Sequence, residues 1–131
     1  MILRVARHTD NLTILADFYT KILGLVVLGD FRNHETYHGI FLGYANQGWH
    51  LEFTQSEKKA NHTFDKDDLL VFYPRDPGHL EQILSNIKSN YVDIHEPENP
   101  YWKTNGTLIK DPDGYGIIIT NPSDTSVNGR T

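Results

Sequence analysis

Apolar residues recur along this chain with two periods, and the switches between them mark out the elements. Ile2 to His8 is a short β-like run, after which Thr9, Asp10 and Asn11 offer side-chain acceptors for a helix N-terminus. Leu15, Phe18, Tyr19 and Ile22 then fall at i, i+3, i+4 and i+7, one face of a helix, and Gly24 supplies its stop. Leu25 to Leu28, Tyr37 to Tyr44 and Trp49 to Thr54 predict three further strands, separated by Gly29-Asp30 and by Ala45-Asn46-Gln47-Gly48. The first half is therefore expected to be βαβββ, over about residues 1–57.

Residues 55–66 are polar and fit an exposed linker, and beyond them the pattern starts again. Asp68 to Tyr73 is β-like, Asp76-Pro77 pairs an N-cap with the favoured proline position, and Leu80, Ile83, Leu84 and Ile87 repeat the earlier helical spacing. Tyr91 to His95, Gly106 to Lys110 and Gly116 to Thr120 predict strands, with a tight turn at Asp111-Pro112-Asp113-Gly114. A second βαβββ module over about residues 66–121 makes the chain α+β, one domain over 1–121. Residues 122–131 have no period and are expected to be a mobile tail.

A length of 131 residues, with 38% hydrophobic and 22% charged, suits a single self-folding core. The absence of cysteine removes disulfides, thiolate nucleophiles and thiolate-ligated metals, while seven histidines keep imidazole and carboxylate ligands available. Met1 to Asp10 lacks a signal-peptide pattern, and no apolar run approaches the roughly 20 residues that span a bilayer, so a soluble cytoplasmic protein without membrane contact is expected. A net charge of −5 without a Lys/Arg stripe argues against nucleic acid as a partner.

Asp17-Phe18-Tyr19 with Leu23-Gly24-Leu25, His50-Leu51-Glu52-Phe53, and Lys110-Asp111-Pro112-Asp113-Gly114-Tyr115, placed in paired modules, resemble the vicinal oxygen chelate (VOC) superfamily of glyoxalases, bleomycin- and fosfomycin-resistance proteins and extradiol dioxygenases. The resemblance covers about residues 1–121. It implies paired modules whose sheet curls round a cleft, a small organic ligand in that cleft, and a homodimer. Members that use a divalent metal hold it from four strands, and the corresponding positions here are Arg4, Glu52, Asp68 or Leu69, and Ile118. Glu52 alone matches cleanly. Arg cannot ligate a cation, because its guanidinium stays protonated.

The expected chemistry therefore centres on Glu52, His50 and Arg4. Alternation along a strand turns His50 and Glu52 to one face and Trp49, Leu51 and Phe53 to the other. A His beside a carboxylate can serve as an acid/base pair, with Arg4 as a fixed cation for an anionic or carbonyl oxygen. Glu52 and His50, with His8 or Asp68, could instead hold a divalent metal in a rearranged site. An ordinary Arg4–Glu52 bridge across the sheet is the structural alternative. His34-Glu35-Thr36-Tyr37-His38 matches the zinc-protease pattern H-E-x-x-H, but that motif needs a helix, and an extended chain would part the imidazoles by roughly 13 Å. His8, His34 and Tyr37 are candidate ligand contacts. Tyr101 and Trp102, in the proline-bounded stretch from Asn99, are read as a loop-borne stacking platform or, alternatively, as a plug for the core or a dimer interface. Two outcomes stay open: an enzyme of lyase, isomerase or dioxygenase type, and a module that sequesters its ligand without reaction.

Overall fold

The computed structural model describes residues 1–121, and the expected tail lies outside them. The chain divides into two units, residues 1–62 and 63 onward. The first contains β1 (Leu3–His8), α1 (Leu12–Lys21), β2 (Val26–His34), β3 (Tyr37–Gly43) and β4 (Trp49–Gln55). Its sheet has the order β1-β4-β3-β2, with β1 parallel to β4 and the other neighbours antiparallel. This is the expected βαβββ module.

Asn11 starts α1, its side chain accepting from the Ile14 N–H at 3.1 Å. Gly24, at φ +71°, lets the chain reverse just past the helix, and the Leu25 N–H closes onto the Tyr19 carbonyl at 3.1 Å. The periodic face does what its spacing requires: Leu15, Tyr19 and Ile22 are buried, and the Tyr19 ring lies 5.1 Å from that of Phe53 on β4. Leu51 and Phe53 are buried on the face of β4 that meets α1, so His50 and Glu52 occupy the other face. Burial of side chains of this size contributes about 1.5–3 kcal/mol each.

The second unit holds β5 (Leu69–Phe72), α2 (Pro77–Ser89), α3 (Pro100–Asn105), β6 (Gly106–Lys110) and β7 (Gly116–Thr120), with a three-stranded sheet in the order β5-β7-β6. As in the first unit, a parallel pair (β5 and β7) adjoins an antiparallel one (β6 and β7). Asp76 caps α2 as its position predicts, accepting from the His79 N–H at 2.8 Å, with Pro77 in the first turn. Ile117, Ile118 and Ile119 are all fully buried, which suits a strand packed on both faces.

Three boundaries depart from expectation. The strand foreseen at Leu25 to Leu28 continues through polar residues to His34, because pairing with β3 carries it on. Tyr91 to His95 is not a strand: the end of α2 closes with Tyr91 at φ +55°, the Tyr91 N–H on the Lys88 carbonyl and the Val92 N–H on the Ile87 carbonyl. That closure uses up the first residues of the run, leaving a single bridge between His95 and Leu108. The expected loop at Asn99 to Trp102 instead opens a short helix, α3, whose first N–H groups meet the Asn99 side chain and carbonyl. Asp111 explains the last turn: its Oδ1 accepts from the Asp113 and Tyr115 N–H groups, and Gly114 at φ +89° completes the reversal.

Candidate active face of the first sheet

Parallel pairing of β1 with β4 sets Arg4 beside His50 and Ala6 beside Glu52, and the β3–β4 hairpin sets Phe41 opposite Glu52. All of these belong to the sheet face turned away from α1. Arg4 Nε donates to His50 Nε2 at 3.0 Å, and Arg4 Nη1 stands 3.8 Å from Glu52 Oε1. The guanidinium carbon lies 4.7 Å from the centre of the Phe41 ring, which meets His50 edge-on at 5.9 Å and Phe31 at a tilt, also at 5.9 Å. The Phe31 ring covers Gly39, where a side chain would collide with it.

The polarity of this arrangement follows from its donors. An arginine Nε–H can only donate, so His50 Nε2 presents its lone pair to Arg4 and the ring proton belongs on Nδ1. The Arg4 side chain is 52% exposed while that of Glu52 is only 13% exposed, so the cation faces solvent and the carboxylate sits beneath it. At 3.8 Å the ion pair is loose, leaving guanidinium donors free to turn toward an incoming oxygen.

The remaining sequence candidates are distributed as follows. His8, at the end of β1, has Nδ1 at 2.9 Å from Thr54 Oγ1 and Nε2 at 3.1 Å from the Lys58 carbonyl, with Ser56 Oγ also close; Tyr37 meets its ring edge-on at 5.7 Å. Its backbone carbonyl accepts from His62 Nε2 at 2.6 Å. His8 thereby ties the segment after β4 to the end of β1. His34 and Tyr37 form the last pair of the β2–β3 hairpin, across a turn in which Glu35 and Thr36 both have positive φ. The H-E-x-x-H residues are thus a hairpin, not a helical ligand pair. Asp68 immediately precedes β5, where its Oδ2 accepts from the Asp65 N–H. Tyr101 and Trp102 lie on α3 with their rings edge-to-face at 4.8 Å. Phe41, the shelf beneath Arg4, is not among the sequence candidates; alternation within Tyr37 to Tyr44 gives its parity, but only the hairpin register reveals its place opposite Glu52.

Two of the positions that the resemblance relates to metal ligands, Arg4 and Ile118, carry no donor. Arg4 cannot ligate, Ile118 is a buried aliphatic, and Asp68 is engaged in a turn. Among the described residues no group of three or more His, Asp or Glu is placed to hold an ion.

A helix-backed sheet ordered β1-β4-β3-β2, followed by a second unit with the same parallel pairing, is the glyoxalase-type VOC fold, and solved structures of that class resemble the chain. The trypanothione-dependent glyoxalase I of Leishmania major matches with a TM-score of 0.72 at 23% identity, over 93% of this chain and 86% of that one. A glyoxalase/bleomycin resistance protein/dioxygenase domain from Frankia matches at 0.68 and 18% identity, over 89% and 93%. Within that class, residues 3–54 match the YycE-like N-terminal domain and residues 67–121 the YycE-like C-terminal domain, so the chain belongs to the YycE-like family. The uncharacterized protein YycE of Bacillus subtilis is 38% identical over 120 residues, 91% of this chain and 86% of that protein. A crystal structure of a YycE protein of unknown function from Bacillus subtilis superposes with a TM-score of 0.85 at 37% identity, covering 98% of this chain and 93% of that one.

Proposed function

We propose that this chain acts on a small organic molecule bound to the Arg4–Glu52 face of its first sheet, and does so without the superfamily's usual four-residue metal site. The observation that carries this reading is the exposed Arg4 guanidinium, held over Phe41 and hydrogen-bonded to His50 directly above a largely buried carboxylate. A flat ligand would lie against Phe31, beside the Arg4-covered ring of Phe41, with a carbonyl or carboxylate oxygen toward Arg4. Glu52 would then take a proton from the carbon next to that carbonyl, and Arg4 would stabilise the negative charge developing on oxygen. His50, with Nε2 already occupied, positions Arg4 and can donate from Nδ1.

Deuterium incorporation next to the carbonyl tests the reading. A panel of 2-oxo and 2-hydroxy carbonyl compounds is followed by NMR in D2O with the parent protein and with Glu52→Gln. Exchange slowed about 100-fold or more in the variant is expected. Exchange at the parent rate would remove Glu52 from the mechanism. A ligand-dependent rise in melting temperature without exchange would establish capture instead, the second reading, which the exposed Arg4 over an aromatic shelf also favours. We further propose a cytoplasmic location and a homodimer, the latter supported by the apolar Val26, Val27 and Leu28 exposed along the edge strand β2.

A further inference from the structure

The second unit contains a pocket of its own, lined in part by the segment before β5, the residues after His95, and the β6–β7 turn. We propose that it binds a small monoanionic organic acid of about one ring, with the Lys110 ammonium as counter-ion and Phe64 as apolar wall. No residue of the Arg4–Glu52 face takes part, so this proposal stands apart from the function proposed above.

Volume limits the occupant first. The pocket offers about 230 Å³, below the roughly 300–1,000 Å³ of sites for drug-sized ligands, which suits an occupant of about one ring. Charge limits it next. Glu98 is paired with Lys66 and Glu96 with Lys103, both at 3.4 Å, and the Asp65 carboxylate accepts from the Asp67 N–H. Among the described residues Lys110 has no carboxylate partner. The lining therefore presents Lys110 as a cation without a carboxylate partner, together with the Asp65 carboxylate, which keeps its charge. A single negative charge can pair with Lys110, whereas a dianion would also meet repulsion from Asp65.

Strand register then places the groups around Lys110. Leu108 and Lys110 share one face of β6, and Gly116 of β7 lies opposite Lys110. A Cβ at Gly116 would come within 2.7 Å of Leu69 Cδ2 and 3.5 Å of Leu108 Cδ1, so glycine is what lets these side chains pack against β7 there. Gly114 faces open space. Phe64 is held edge-to-face by Tyr115 at 4.7 Å, and with Leu108 it supplies apolar surface for a ring.

The experiment is an amide NMR titration of the full chain at low ionic strength with sodium benzoate, run beside benzamide and inorganic phosphate. Benzoate is expected to give saturable shifts centred on Lys110, Gly114 and Gly116, benzamide and phosphate much smaller ones. Lys110→Met should weaken benzoate at least about tenfold, Lys110→Arg should largely restore it, and about 0.5 M salt should weaken it in the parent protein. The proposal fails if benzoate shows no saturation by roughly 20 mM, if benzamide or phosphate binds as well, or if a correctly folded Lys110→Met protein binds benzoate as the parent does. Amide spectra of the variants separate lost binding from lost structure.

Discussion

Arg4 has three neighbours of different chemistry, and their combined effect differs from that of a simple ion pair. The separation from Glu52 is 3.8 Å with half of the arginine in solvent, so the pair contributes between nothing and about 1 kcal/mol. The ring of Phe41 adds about 0.5–1 kcal/mol of cation–π attraction. Arg4→Met should therefore lower stability by no more than about 1–2 kcal/mol in urea denaturation. A larger loss would mean that Arg4 carries a structural load. The same substitution should release the His50 tautomer. With no donor facing Nε2, the Nε2–H form becomes populated, and ring nitrogen chemical shifts would report it. Unchanged ring shifts would show that Arg4 does not hold the tautomer.

At the scale of elements, the start of α2 carries a pH response. His79 Nδ1 accepts from the Arg75 N–H at 3.0 Å, while its own backbone N–H is bound by Asp76. Partial burial, and after it the positive charge of Arg75, lower the His79 pKa below its ordinary value, against an opposing pull from Asp76. A histidine held more acidic in the fold favours the neutral ring. Its contribution is complete above the unfolded value of about 6.5 and is lost as pH falls through that value toward the lower folded one, because the unfolded chain takes up the proton first. His79→Asn, which keeps a side-chain acceptor but cannot titrate, should remove this part of the pH dependence in denaturation curves between about pH 5 and 8. Parallel curves for the two proteins would refute the assignment. The elements also show where periodicity succeeds. The helices α1 and α2 were legible because i, i+3, i+4, i+7 spacing came with a capping residue at the start, whereas α3 was not, and Tyr91 to His95 has strand composition but lies where α2 must close. Local closure, with Tyr91 in the left-handed region, overrides β propensity there.

For the molecule as a whole, the exposed edge of the first sheet is the feature that bears on the proposed homodimer. Val26, Val27 and Leu28 are 48%, 51% and 44% exposed on β2, a strand at the edge of its sheet among the described residues. A run of this kind invites association unless it is covered. If it lies in a dimer interface, Val27→Lys should shift the protein to monomers in sedimentation equilibrium while its circular dichroism stays that of the parent. A parent protein that is already monomeric would end that reading. Among the described residues no helix is long and apolar enough to cross a membrane.

By itself the sequence determined the first βαβββ module and, in the second, β5, α2, β6 and β7, because helix periodicity, Asn11 and Asp76 as caps, Gly24 as a stop and the Asp111–Gly114 turn all act over a few residues. It also determined the parity that turns His50 and Glu52 away from Leu51 and Phe53. Tertiary structure decided what stands beside them. Arg4 reaches His50 because β1 pairs with β4 in parallel across 46 positions of chain, and Phe41 lies under Arg4 because the β3–β4 register puts it opposite Glu52. Pairing between distant strands depends on which faces are buried together, and no local pattern encodes it.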